Sequence, residues 1–166
     1  MKKIVLHGRR VTGGYAEGEA LVTHDTISGW GGINPQDGTI IEKRHELVGK
    51  SVKEKVLAFP GAKGSSGWST TFHIMRLMGN GPMAMVFKEM TSKVALGSVV
   101  AHIPAMTDLD QDPLEVIDNG DWVKVEADKG RIEVIKKSQN TEGTNRIKSI
   151  TELNKSSRKK VIAFKE

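Results

Sequence analysis

The chain contains no cysteine among its 166 residues. It therefore forms no disulfide and offers no thiolate to zinc or to an iron–sulfur cluster. Aromatic residues are scarce: Tyr15 is the only Tyr, and three Trp and four Phe bring the total to 5%. Such a sequence has little with which to build a base-stacking surface, which argues against nucleic-acid binding. No apolar run approaches the roughly 20 residues that a helix needs to cross a bilayer. Met1-Lys2-Lys3 passes directly into Ile4-Val5-Leu6 with charges close behind, which is unlike a signal peptide. A cytoplasmic location without membrane contact fits these absences.

The formal net charge of +5 is not spread over the chain. Residues 136–166 hold nine Lys/Arg against three Asp/Glu and so carry +6, which leaves −1 for the other 135 residues. The composition predicts a domain over residues 1–136 and a basic extension over residues 137–166. Within the extension, residues 147–153 have the pattern of a short helix and residues 161–164 form an apolar peg. A basic tail suits an acidic surface of some kind, or is simply a solvated end. The length fits one domain with a real core.

The stretch from Glu54 to Pro82 organises the rest. Val56-Leu57-Ala58-Phe59 has the length of a buried strand and stops at Pro60-Gly61. A loop of Gly61, Gly64, Ser65, Ser66 and Gly67 follows, and then apolar residues return at helical spacing. Trp68, Phe72 and Met75 share one face, with Ile74, Leu77 and Met78 beside them. Either Ser65 or Ser66 serves as N-cap, and Gly79 to Pro82 stop the helix. Strand, glycine loop and helix N-terminus together suit an anion, because the first N–H groups of a helix lack internal partners and its dipole is positive there. Lys63 adds a mobile cation. Gly64, Ser65 and Ser66 thus suit a carboxylate or phosphate, and the alternative is an ordinary strand-to-helix turn with a serine cap. The order of residues is neither that of a Walker A loop nor that of a nucleophile elbow.

Around this unit the chain reads as many short strands. Residues 3–11 and 18–23 come before it, Ala84–Phe87 completes a right-handed crossover, and residues 92–101 form a second helix. Ile103–Met106 is a short or edge strand, because it contains Pro104. Residues 113–117 form a helical turn, and residues 121–126 and 130–135 alternate like a hairpin. Between Thr23 and Gly38 runs a long loop containing Ser28-Gly29-Trp30-Gly31-Gly32-Ile33-Asn34-Pro35. Trp30 there is either a lid folded onto the domain's own core or a contact for a ligand or partner. His45 has no ligand-spaced neighbours and reads as solvated. The count gives a β-rich α/β domain in a β/β/α arrangement, with few acid–base pairs of its own.

Several motifs occur in one order: Gly18-Glu19-Ala20-Leu21-Val22, Ser28 to Pro35, Gly38-Thr39-Ile40-Ile41, Gly49-Lys50-Ser51-Val52, Val56 to Ser69, Ala95-Leu96-Gly97, Ile103-Pro104 and Gly120-Asp121-Trp122-Val123. Together they resemble the small subunit, or swivelling domain, of aconitase X over roughly residues 3–135. The resemblance implies a β/β/α swivelling domain that closes over a larger subunit, whose cysteines hold an iron–sulfur cluster. It implies a hydro-lyase in which Ser65 is the general base that removes the α-proton of a small hydroxy acid. The family's substrates are hydroxyprolines such as cis-3-hydroxy-L-proline, or mevalonate 5-phosphate. The chain departs from the family pattern at three places: Lys63 stands for Arg, Trp68 for Gly, and Asn34 for Asp.

Serine is a poor base when free, but a helix N-terminus and Lys63 both favour its alkoxide. Departing hydroxide needs a Lewis acid, and without cysteines this chain leaves a cluster iron to its partner. The backbone N–H groups of Ser66 and Gly67 are expected to hold the substrate carboxylate, with Trp30, Gly31 and Gly32 closing the other edge. Lys63, Gly64 and Asn34 complete the expected binding set. A hydroxyproline is favoured over mevalonate 5-phosphate, because Lys63 replaces the bidentate Arg that a phosphate would keep. A non-catalytic anion-binding swivelling module is the alternative from another class.

Overall fold

The computed structural model describes residues 1–138. The expected helix at residues 147–153, the apolar peg at 161–164 and nearly all of the basic extension lie outside the described residues.

Near the N-terminus, β1 (Lys3–His7) and β2 (Arg9–Thr12) are separated by Gly8 alone. The long strand β3 (Tyr15–Val22) follows, then three two-residue strands: β4 (Ile27–Ser28), β5 (Ile33–Asn34) and β6 (Thr39–Ile40). The crossover region comprises β7 (Val56–Phe59), β8 (Ala62–Lys63), α1 (Gly67–Leu77), β9 (Ala84–Phe87), α2 (Ser92–Val100) and β10 (Ala105–Thr107). The short α3 (Pro113–Val116) leads to the hairpin of β11 (Trp122–Glu126) and β12 (Arg131–Ile135).

Eight strands form one sheet in the order β1-β12-β11-β3-β7-β9-β10-β2. Its two edge strands are the two that Gly8 joins. Laid flat, eight strands would separate those edges by more than 30 Å, at about 4.8 Å per step. One residue spans only about 3.5 Å. The sheet must therefore curl until its edges meet at Gly8, and the Gly8 N–H donates to the Gly130 carbonyl at 3.0 Å. A Cβ at Gly8 would lie 2.5 Å from Leu109 and 2.7 Å from the Thr107 carbonyl oxygen, so the closure admits only glycine.

Curling creates two cores. One holds Leu6, Val56, Ala58, Ala84, Val86, Met106, Val123, Val125, Ile132 and Val134, with Leu114 and Ile117 beside them. The other holds Leu57, Phe59, Met85 and Phe87 with Trp68, Phe72 and Met75 of α1 and Val94 of α2. Strands β7 and β9 alternate between the two cores, which is why Val56–Phe59 and Ala84–Phe87 read as unbroken apolar runs. Two β layers and one α layer result, as expected. Of its two readings, short or edge, strand β10 is the short one: Pro104 lies just before it, and its three residues pair with both β9 and β2.

Trp68 is fully buried and stacks on Phe72, with ring centroids 4.0 Å apart. Its indole Nε1–H donates to the Ile27 carbonyl at 2.9 Å. A Cβ at Gly97 of α2 would lie 2.3 Å from the indole ring, and one at Gly29 would lie 2.6 Å from the Trp68 Cα. The two glycines thus admit the largest core side chain and lock the start of α1 against α2 and the loop after β4.

At the end of the described chain, Asp121 is almost wholly buried. It accepts from the Lys136 Nζ at 2.7 Å and from the backbone N–H groups of Asp118 and Lys137, each at 2.9 Å. Burial opposes its charge, but these donors outweigh burial and hold the carboxyl below its usual range. Lys136 also donates to Asp118 and to the Val116 carbonyl.

Two outcomes follow from these contacts. Gly97→Ala gains about 1 kcal/mol of helix propensity but overpacks Trp68 by about 1–3 kcal/mol, so the midpoint of thermal unfolding falls. Asp121→Asn weakens charged hydrogen bonds and destabilises the protein by about 1–3 kcal/mol at neutral pH. Because the folded Asp121 carboxyl titrates below its unfolded value, its contribution is present above the ordinary Asp range and lost as pH falls through the folded pKa. Urea unfolding at neutral and acid pH should therefore show the gap between wild type and Asp121→Asn closing in acid.

Candidate active site at the carboxyl rim of the parallel strands

Strands β3, β7, β9 and β10 run parallel, so their carboxyl ends share one rim. Crevices outside the carboxyl ends of parallel strands are where α/β folds place ligands. The segments after β3 and after β7 both leave the sheet here. Strand β4 pairs in parallel with β8, setting Ile27 opposite Ala62 and Ser28 opposite Lys63. The Ile27 N–H donates to the Gly61 carbonyl at 3.1 Å. Two loops far apart in sequence thereby lie side by side.

Glycine is required where they touch. Gly64 has φ +88, and a Cβ there would lie 3.1 Å from the Ser28 Oγ. At Gly32 a Cβ would meet the Ser28 carbonyl oxygen at 2.1 Å. Gly67 packs against Trp30 at ordinary contact distance, a Cβ there lying 3.5 Å from the Trp30 Cβ. Lys63, Gly64, Ser65, Ser66 and Gly67 are thus brought together with Trp30, Gly31 and Gly32. Trp30 is 71% exposed and is no lid on the core. The buried tryptophan is Trp68.

Ser65 and Ser66 are both exposed at the start of α1. The N-cap position falls to Ser66, whose backbone is already helical and whose side chain makes no cap bond. The hydrogen bond comes instead from its neighbour: the Ser65 Oγ accepts the Gly67 N–H at 3.3 Å, and the Ser65 carbonyl accepts the Trp68 N–H at 3.2 Å. A negative charge on the Ser65 oxygen would strengthen the bond from Gly67 and lie at the positive end of the helix dipole. The Gly67 N–H, expected to bind substrate, is aimed at the serine in this structure.

Lys63 is not the mobile cation expected from the sequence. Its Nζ donates to the Glu42 Oε1 at 2.6 Å. Glu42 directly follows Ile41, whose N–H donates to the Gly32 carbonyl at 2.9 Å. A third segment is thereby sewn to the two loops. Sequence reasoning missed Glu42 because it stands alone in a polar stretch; only the pairing of Ile41 with Gly32 brings it to the rim.

Asn34 stands apart from this group. Its Oδ1 accepts the Gln36 N–H at 3.0 Å and its carbonyl accepts the Gly38 N–H at 2.8 Å. The following turn is held by Asn80, whose Nδ2 donates to the carbonyls of Pro35 and Gln36. Asn80 lies beyond the far end of α1, about 16 Å of helix from Ser65. His45 also differs from its reading as solvated: it is 4% exposed, and its Nδ1 accepts the Leu47 N–H at 3.0 Å.

Two cavities of the described surface lie elsewhere. One is lined by Glu19, Lys50, Lys53 and Lys55, the other by Tyr15, Arg76, Met83 and His102, and neither includes a residue of the Ser65 loop. The serine sits on an open rim. Among the described residues no three His, Asp or Glu side chains gather as a metal site, and the chain has no cysteine. This donor set does not fit an iron–sulfur cluster. Among the described residues no helix is long and apolar enough to cross a membrane.

Residues 5–134 match the aconitase X swivel domain. The phosphomevalonate dehydratase small subunit of Methanocella arvoryzae is 46% identical over 131 residues, covering 78% of this chain and 98% of that protein. Its counterpart from Methanosarcina acetivorans is 40% identical over 136 residues, covering 82% and 94%. The crystal structure of Thermococcus kodakaraensis aconitase X in its holo-form superposes with a TM-score of 0.76 at 31% identity, over 80% of this chain and 99% of that one. The family expected from the ordered motifs is thus matched in sequence as well as in fold, and the chain belongs to the aconitase X swivel domain family.

Proposed function

We propose that this chain is the small subunit of an aconitase X-type dehydratase, that its substrate is mevalonate 5-phosphate, and that Ser65 is the base of the reaction. The observation that carries the chemistry is the Ser65 Oγ: exposed, at a helix N-terminus, and accepting the Gly67 N–H at 3.3 Å. The relatives carry the choice of substrate. On sequence alone a hydroxyproline is favoured because Lys63 replaces an Arg. Relatives 40% and 46% identical over nearly their whole length bear the phosphomevalonate name, which outweighs an argument from one side chain.

In this reading the Ser65 oxygen takes a proton from the carbon next to the substrate carboxylate. The electron pair left behind forms the carbon–carbon double bond as hydroxide leaves the adjacent carbon. The Gly67 N–H and the helix dipole stabilise the alkoxide before the transfer. The N–H of Ser66, which has no partner among the described residues, is a donor for the substrate carboxylate. Trp30, with Gly31 and Gly32 beside it, excludes water once a second surface covers the rim. That surface belongs to a larger, cysteine-bearing subunit. Nothing in this chain fits a cluster, so departure of hydroxide falls to groups on that partner.

Ser65→Ala in the assembled enzyme should lower kcat for dehydration by about 10²–10⁴, the usual contribution of a positioned base. Co-purification with the large subunit should be unchanged. A panel of mevalonate 5-phosphate and hydroxyproline isomers, followed by the appearance of the unsaturated product, tests substrate and base together. A Ser65→Ala enzyme that keeps wild-type turnover would remove Ser65 from the reaction.

A further inference from the structure

The Lys63–Glu42 pair lies inside the group of residues that surrounds Ser65, yet the chemistry above does not use Glu42. Both side chains are partly buried, with 42% of Lys63 and 30% of Glu42 exposed. The Lys63 backbone is fixed by the pairing of β8 with β4, and the Glu42 backbone by the hydrogen bond from Ile41 to Gly32. The 2.6 Å contact therefore ties the tip of a flexible side chain between two anchored segments. A free lysine has several rotatable bonds and donates in any direction; one held at its tip keeps two N–H donors in defined directions. Pairing also cancels most of the ammonium's field at a distance, because the opposite charges sit within one hydrogen bond.

We infer that Glu42 is a positioning residue for the dehydration: it holds the Lys63 ammonium beside the Gly32 and Gly64 loops as half of a neutral pair, so that Lys63 meets the substrate as an aimed donor and not as a loose cation. The inference deepens the reading of Ser65 as base and rests on it. Glu42 acts through Lys63 alone. A loose cation at the rim would bind any phosphate or carboxylate from solution, whereas a paired one gives little to an anion that does not fit its remaining donors.

The test uses the enzyme assembled with its large subunit. Glu42→Gln should lower kcat about tenfold, as expected when a catalytic group drifts out of position, while KM stays level or falls. Inorganic phosphate should inhibit the variant more strongly than wild type, and Glu42→Asp should recover most of the lost kcat. On a Lys63→Met background, Glu42→Gln should add less than about a twofold effect, the signature of one shared pathway. Wild-type kcat and KM in Glu42→Gln would overturn the inference, as would losses from Glu42→Gln and Lys63→Met that simply multiply. If the wild-type enzyme dehydrates a hydroxyproline and not mevalonate 5-phosphate, the substrate reading fails while the same cycle, run on that hydroxyproline, still decides the role of Glu42. If it dehydrates none of the panel, the functional reading fails. Calorimetric titration with inorganic phosphate then decides for Glu42: tighter binding by Glu42→Gln supports the pair, and unchanged binding refutes it.

Discussion

Trp68 is the contact on which the arrangement depends. Its ring lies against Phe72, its Nε1–H holds the Ile27 carbonyl, and glycines make room for it on α2 and on the loop after β4. One side chain therefore fixes the first turn of α1 relative to two other segments, α2 and the stretch from β4 into its loop. The geometry of the rim depends on that fixity. The N–H groups that start α1 are useful to Ser65 only if the helix begins at the same place and angle in every molecule. Trp68 also spares the loop from having to hold itself together. Residues 64–66 are exposed and make few contacts, yet the helix that follows them is anchored at its first full turn.

Stability and chemistry occupy separate parts of the molecule. The two cores are made of strand and helix side chains with little polarity. The rim is made of glycines, two serines, an ion pair and an exposed tryptophan. A site of this kind is incomplete by itself. The proposed base lies in the open, where water competes for every hydrogen bond and weakens each electrostatic effect. A covering surface would raise the strength of the same donors without moving them. In the proposed reading, that is a reason for a small swivelling unit to exist apart from a partner that covers it.

The sequence revealed different features to different degrees, for physical reasons. Val56–Phe59 and Ala84–Phe87 were legible as strands buried on both faces because nothing polar interrupts them. The helix at residues 67–77 was legible from its 3.6-residue period, and the serine loop from its place before that helix. What pairs across the fold was not legible. The lysine of the loop reads as free until the hairpin of β5 and β6 brings Glu42 to it. Asn34 reads as a site residue because of its motif, and the sequence does not show that its side-chain oxygen is taken up by its own turn. Trp68 is buried, as its place on the apolar face of the helix predicts, whereas Trp30 is exposed, so the lid reading of Trp30 falls. Strand β10 read as short or edge, and the choice was not legible because a proline next to a strand and a proline within it look alike until the register is known.

The closure at Gly8 also constrains how the protein is made. Strand β1 begins at Lys3 and pairs in the sheet with β12, which ends at Ile135. Strand β1 is made well before β12 and must wait for it. Contacts so distant in sequence close slowly, since the intervening loop must give up its freedom first. Until β12 emerges, the backbone groups of β1 and of its neighbours form an open edge of the kind that seeds aggregation. Early folding can rely only on the local strand–helix–strand unit built around Trp68. Nascent chains halted before residue 131 should therefore depend on chaperones far more than the finished domain does.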